Sequence, residues 1–257
     1  MTDTLLAALL GLLVAGLGGL LVPPLIASVP EPAQKDTDAK EPEEDQPLAE
    51  PVPDPQATEP PKMPYADIAA RPGLRWRSAL ASAVSGALIG AATGLDWPLL
   101  WLLPLTPIAV ALSVIDWHTK LLPRRIVVPA TLAAILLVVV VGLATDQREA
   151  LVRALVAMVV ARSFFWVLWF IRSAGMGFGD VRLAAPVGLV LGWIGWGPFA
   201  IGLWTGFVAF ALPALVVIVV RRDRALLKTS FPFGPFMVVG ALVGLVWGTA
   251  LAERLWG

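Results

Sequence analysis

Residues Leu183 to Val220 read LAAPVGLVLGWIGWGPFAIGLWTGFVAFALPALVVIVV, 38 residues without a charged side chain. As one α-helix this run would be about 57 Å long, nearly twice the ~30 Å hydrocarbon core of a bilayer. Gly195-Trp196-Gly197-Pro198 near its middle is a turn signal. The stretch therefore predicts two membrane-spanning helices joined by a tight turn. The apolar residues are continuous and do not alternate, which argues against a transmembrane β-barrel.

Working outward, six further runs have the length and character of spans. They are Leu5 to Val29, Ser78 to Leu95, Trp97 to Ile115, Ile126 to Thr145, Ala150 to Ile171 and Phe231 to Ala252. The fifth of these is interrupted by Arg153 and Arg162. The expected fold class is thus all-α, a polytopic membrane bundle of eight transmembrane helices. Composition agrees: apolar residues make up 58% and charged residues 15% of the 257 residues, and mean hydropathy is +0.79. Soluble domains carry about 25% charged residues.

Charge is unevenly spread. Net charge is zero, yet residues 30–77 hold 11 of the 19 acidic groups. Ten of the 23 prolines lie between Pro30 and Pro64. A segment so poor in large apolar residues cannot offset its chain entropy, so it is expected to be a disordered acidic tether. The expected organisation is an N-terminal anchor helix over 1–29, a cytoplasmic linker over 30–77 and a seven-helix domain over 78–257. With eight spans, Arg71, Arg75, Arg77, Lys120, Arg124, Arg125, Arg172, Arg182, Arg221, Arg222, Arg224 and Lys228 fall on one side. The positive-inside rule makes that side cytoplasmic and puts both termini outside, in a multi-pass plasma-membrane protein. The first basic residue is Lys35, so the first span lacks the basic flank of a cleaved signal peptide and reads as a retained anchor.

The chain has no cysteine and one histidine. Disulfides, thiolate metal sites and cysteine nucleophiles are excluded. No metal, cofactor or nucleic-acid partner is expected. Two carboxylates at predicted span ends remain: Asp116 in Ser113-Val-Ile-Asp-Trp-His-Thr-Lys-Leu-Leu-Pro123, and Asp180 in Gly175-Met-Gly-Phe-Gly-Asp-Val-Arg-Leu183. Both fall on the cytoplasmic side. Two close carboxylates cannot both ionise easily, so one serves as acid while the other activates water. Gly175, Gly177 and Gly179 would let another chain approach Asp180. From spacing alone, a glycine-rich turn with a helix-capping Asp stays open as the plainer reading.

Gly177-Phe-Gly-Asp180 is a GxGD motif, and Asp116 followed by six residues and Pro123 is a D-x6-P motif. Together with Met176 to Gly192, MGFGDVRLAAPVGLVLG, and Phe231-Pro-Phe-Gly-Pro-Phe236, they resemble the type IV prepilin peptidases, membrane aspartic proteases. The resemblance covers about residues 78–252. It implies an aspartic endopeptidase that cleaves basic leader peptides from prepilins or pseudopilins, small proteins with an apolar helix, at the cytoplasmic face of the bilayer. It makes Asp116 and Asp180 the catalytic pair, with Gly177, Gly179, Arg182 and Pro123 as supporting motif residues. Two features depart from the pattern. Arg182 stands where the family has Lys, which exchanges a point charge for a planar fork. The cysteine-rich insert that the family associates with N-methyl transfer is replaced by the acidic linker, so methyltransferase activity is not expected.

Other groups read more plainly. His118 is expected to be a loop residue, and Arg153 and Arg162 to snorkel or pair across helices, with Arg162 facing a polar cavity. Most of the 11 tryptophans fit interface belts. Pro213-Ala-Leu215 matches the PAL tripeptide of presenilin-like proteases, but the Tyr-Asp motif of those enzymes is absent. A presenilin-like intramembrane protease, a proton- or cation-coupled transporter and a non-enzymatic anchor protein remain the alternatives. Transport would call for paired halves, and none are evident.

Overall fold

A computed structural model describes residues 2–31, 63–171, 177–221 and 232–256, the side chains of 214–221 excepted. Most of the expected linker, residues 32–62, lies outside the described residues. So do 172–176 and 222–231, with Arg172, Gly175, Met176, Arg222, Arg224, Lys228 and Phe231 of the sequence reading.

The regular structure of the described residues is all α-helical, without a strand. In chain order the helices are α1 (Thr2–Gly19), α2 (Val22–Ala27), α3 (Tyr65–Ala69), α4 (Leu74–Thr93), α5 (Leu99–Thr119), α6 (Arg124–Ala144), α7 (Arg148–Ile171), α8 (Phe178–Ile194), α9 (Trp196–Arg221) and α10 (Gly234–Trp256). Among the described residues α1, α5, α6, α7, α9 and α10 are long and apolar enough to cross a membrane. The chain is a multi-pass membrane protein. The 38-residue run splits as expected, with Gly195 alone separating α8 from α9.

The first apolar run folds as two helices instead of one. Pro23 and Pro24 sit in the first turn of α2. Neither offers an N–H, and each ring crowds the carbonyl four residues earlier, so the α1 ladder stops at Gly19 and the chain turns through Leu20 and Leu21. The end of the expected linker also differs. Residues 65–69 form α3, and α4 begins at Leu74. Tyr65 and Ile68 are buried beside Val22 and Ile26 of α2, and apolar burial is what orders so short a segment.

Small residues bring the long helices together in pairs: α1 against α4, α7 against α8, α9 against α10. A methyl group at Gly86 would lie 2.3 Å from the Gly11 carbonyl oxygen, and one at Gly240 would lie 2.4 Å from that of Gly202. Backbone contact of this kind is what associates helices in lipid, where apolar burial discriminates little. α8 is buried on nearly all sides and forms the centre of the bundle. Trp193 near its end packs edge-on against Trp101 of α5, with ring centroids 5.0 Å apart.

Arg153 reaches across to the end of α8. Its Nε donates to the Gly192 carbonyl at 2.7 Å and its guanidinium NH2 group to the Trp193 carbonyl at 2.6 Å. A cation there satisfies carbonyls that the end of α8 leaves open and complements the helix dipole. Arg162 lies on the exposed face of α7.

Candidate active site

Four helix ends meet at one end of the bundle. Asp116 occupies the last turn of α5 and is 3% exposed; Asp180 occupies the first turn of α8 and is 6% exposed. The two are close enough for the charge of Asp116 to act on Asp180. The structure thus brings together the two carboxylates singled out from sequence, which are 64 residues apart in the chain.

Each carboxylate is held by a backbone amide at a helix start. Gly234 opens α10, and its N–H donates to Asp116 Oδ2 at 2.9 Å. Gly177 precedes α8; its amide hydrogen-bonds the Asp180 carboxylate, and its carbonyl accepts the Asp180 N–H at 3.1 Å. Helix starts present unpaired N–H groups and positive dipole ends, a setting suited to carboxylates.

Close approach explains one GxGD glycine. A methyl group at Gly179 would lie 2.8 Å from Leu122 Cβ and 3.3 Å from its backbone N. Gly179 is therefore where the GxGD turn rests on the D-x6-P turn. Gly177 has extended backbone angles, φ −70 and ψ 143, open to any residue. A methyl group there would meet no described atom nearer than 3.8 Å. Pro123, the last residue of the D-x6-P motif, precedes α6, and its carbonyl accepts the N–H groups of Ile126 and Val127 at 3.1 Å each. Arg182 lies over the Phe178 ring, 4.9 Å from its centroid, a cation–π contact within α8.

The turn between α5 and α6 is defined by its own bonds. Lys120 takes a left-handed conformation, φ 54, and its N–H closes the helix on the Asp116 carbonyl at 2.8 Å. The Thr119 hydroxyl donates to the Ile115 carbonyl at 2.9 Å and accepts the Leu121 N–H at 3.2 Å. His118 belongs to this last turn of α5 and not to the loop. Arg71 donates to its Nε2, so Nδ1 carries the proton and donates to the Val114 carbonyl at 2.8 Å.

The role of Gly234 is not evident from the Phe231–Phe236 segment alone. Phe233 was the signal: it packs with Phe165, Phe207 and Phe210 at centroid distances of 5.2–5.7 Å and so fixes the start of α10 against the site. An apolar cavity of about 480 Å³ adjoins this end of the bundle, with Trp117, His118, Leu183 and Pro235 among its lining residues. It extends along α5 to Leu102. Among the described residues no group of three or more His, Asp or Glu could hold a metal ion.

The profile of the Type IV leader peptidase family matches residues 103–245, a span that contains both carboxylates and Gly234. The chain belongs to the type IV leader peptidase family. Among curated proteins it is similar to the prepilin leader peptidase/N-methyltransferase of Pseudomonas putida, 33% identical over 148 residues, which are 57% of this chain and 49% of that protein. It is likewise similar to those of Aeromonas hydrophila, 28% identical over 158 residues (61% and 52%), and Burkholderia pseudomallei strain K96243, 30% identical over 185 residues (70% and 58%). The chain thus spans about half the length of these leader peptidase relatives. No solved structure matches it significantly.

Proposed function

We propose that this member of the family is a membrane aspartic endopeptidase that removes the basic leader from a prepilin or pseudopilin at the cytoplasmic face. The observation that carries the reading is the meeting of Asp116 and Asp180 at one end of the bundle, each against a backbone amide. The names of the relatives support the substrate class.

The chemistry needs two carboxyl groups and a water. One carboxylate takes a proton from the water as its oxygen bonds to the scissile carbonyl carbon. The other carboxyl, protonated, gives its proton to the departing amide nitrogen as the C–N bond breaks. Asp116 and Asp180 are the catalytic residues in this reading. Gly179 and Pro123 set the two turns against each other, Gly177 holds Asp180, and Arg182 orients the first turn of α8. Both termini lie outside the cell, so the site faces the cytoplasm, where a basic leader remains after insertion of the substrate's apolar helix.

Purified protein in detergent, given a prepilin with an intact leader, should yield two products whose masses sum to substrate plus one water, cut at the junction of leader and apolar helix. A prepilin left whole, or cut within its apolar helix as a presenilin-like enzyme would cut it, contradicts the proposal.

A further inference from the structure

Helix α3 has five residues, far below the length at which an isolated helix is stable in water. It is nevertheless well anchored. The Glu31 carboxylate accepts the N–H of Tyr65 at 2.6 Å and of Ala66 at 3.3 Å, two of the donors that a helix start leaves open. Tyr65, the chain's one tyrosine, is 3% exposed.

What α3 and the turn after it touch is the last turn of α5. The Tyr65 hydroxyl lies beside the side chain of Thr119, three residues beyond Asp116. Arg71 donates to His118, two residues beyond Asp116. His118 and Thr119 in turn bond the carbonyls of Val114 and Ile115, the two residues just before Asp116. Helix ends fray because their carbonyls lack partners. Here the turn that carries Asp116 is held by side chains that bond the helix and meet a separate element.

We propose that α3 and the turn that follows it are a strut for the end of α5, with Tyr65 and Arg71 as positioning residues that keep Asp116 in register with Asp180. The inference rests on the peptidase reading for its effect on rate, and on the contacts alone for its effect on order. Neither residue touches the carboxylates; both act through His118 and Thr119. The strut also fixes where Leu121 and Leu122 leave the helix, and Leu122 is the residue against which Gly179 packs.

Two measurements on the full chain test the strut. Amide hydrogen exchange of residues 116–121 should quicken about 3- to 10-fold in Arg71→Ala, the loss of one hydrogen bond, and in the same direction in Tyr65→Phe, while the interior of α8 is unchanged. Unchanged exchange at 116–121 overturns the proposal, whether or not the protein cleaves a leader. In the cleavage assay each variant should lower kcat by about 3- to 10-fold and leave KM within about twofold, since substrate contacts remain. Arg71→Lys should recover part of the loss, and Arg71→Ala with His118→Ala should be no worse than His118→Ala alone. A loss confined to KM, or a double variant whose loss is the product of the singles, refutes action through His118. Wild-type protein that cleaves no prepilin would instead remove the peptidase reading and leave the exchange result to judge the strut.

Discussion

Replacing Gly234 with Ala adds one methyl group at the point where α10 meets Asp116. That carbon would lie 2.8 Å from Asp116 Oδ2, 3.2 Å from Cγ and 3.4 Å from Cβ. Carbon and oxygen need about 3.4 Å, so the carboxylate must retreat by about 0.6 Å or α10 must shift (ordinary contact radii). Neither is easy: Asp116 is buried, and Phe233 locks the start of α10 into an aromatic cluster. Overpacking of this kind costs about 1–3 kcal/mol. A misplacement of about 1 Å at reacting groups costs on the order of 10²-fold in rate. Gly234→Ala should therefore lower kcat by about 10- to 100-fold at a temperature where the protein remains folded. Cleavage of a prepilin by purified protein gives kcat and KM, and a thermal melt in the same detergent gives stability. Wild-type kcat together with wild-type Tm would show that the Gly234–Asp116 contact does not set the site geometry, and would refute the reasoning.

The two GxGD glycines should separate. Gly179→Ala forces apart the turns that carry the two carboxylates, with a loss of about 1–3 kcal/mol in stability and most of the activity. Gly177→Ala should keep wild-type Tm, because its backbone angles and surroundings admit a methyl group; equal damage from both contradicts the packing argument. Burial, and the nearby Glu31 charge, push the Tyr65 hydroxyl above the ordinary phenol value of about 10. The folded state then holds this proton more tightly than the unfolded chain, so stability is unaffected below pH ~10 and falls as pH rises above it. Because Tyr65 is the one tyrosine, phenolate absorbance reads the titration directly, and a midpoint at or below 10 would contradict its burial. For orientation, Asp146→Cys in the otherwise cysteine-free chain should react with an impermeant thiol reagent in intact cells, and Arg125→Cys should not; the opposite pattern would put the carboxylates outside.

Much of the fold was legible because membrane spans announce themselves as long uncharged runs, and the turn at Gly195 carried its own glycine and proline signal. The Pro23-Pro24 break was equally present in the sequence, but an apolar run continuing to Val29 outweighed it. α3 was hidden for a physical reason. Five residues at the edge of a proline-rich acidic stretch carry no helical period; they fold because Tyr65 and Ile68 find α2, and Glu31 is 34 residues away from the N–H of Tyr65. The carboxylates could be named because each sits in a short local motif at a span end. Gly234 could not be given a role, because its bond to Asp116 joins residues 118 positions apart. Arg153 shows the same limit: a charge inside a span marks a partner, but which partner depends on how α7 and α8 pack.

The central claim is that Asp116 and Asp180 together perform the hydrolysis. Asp116→Asn and Asp180→Asn each keep the shape of the side chain and remove its acid–base chemistry. Purified in detergent and assayed on a prepilin with an intact leader, each should lose at least about 10²- to 10⁴-fold in kcat, with Tm near wild type. Cleavage by either single variant within a few-fold of the wild-type rate would contradict the two-carboxylate mechanism.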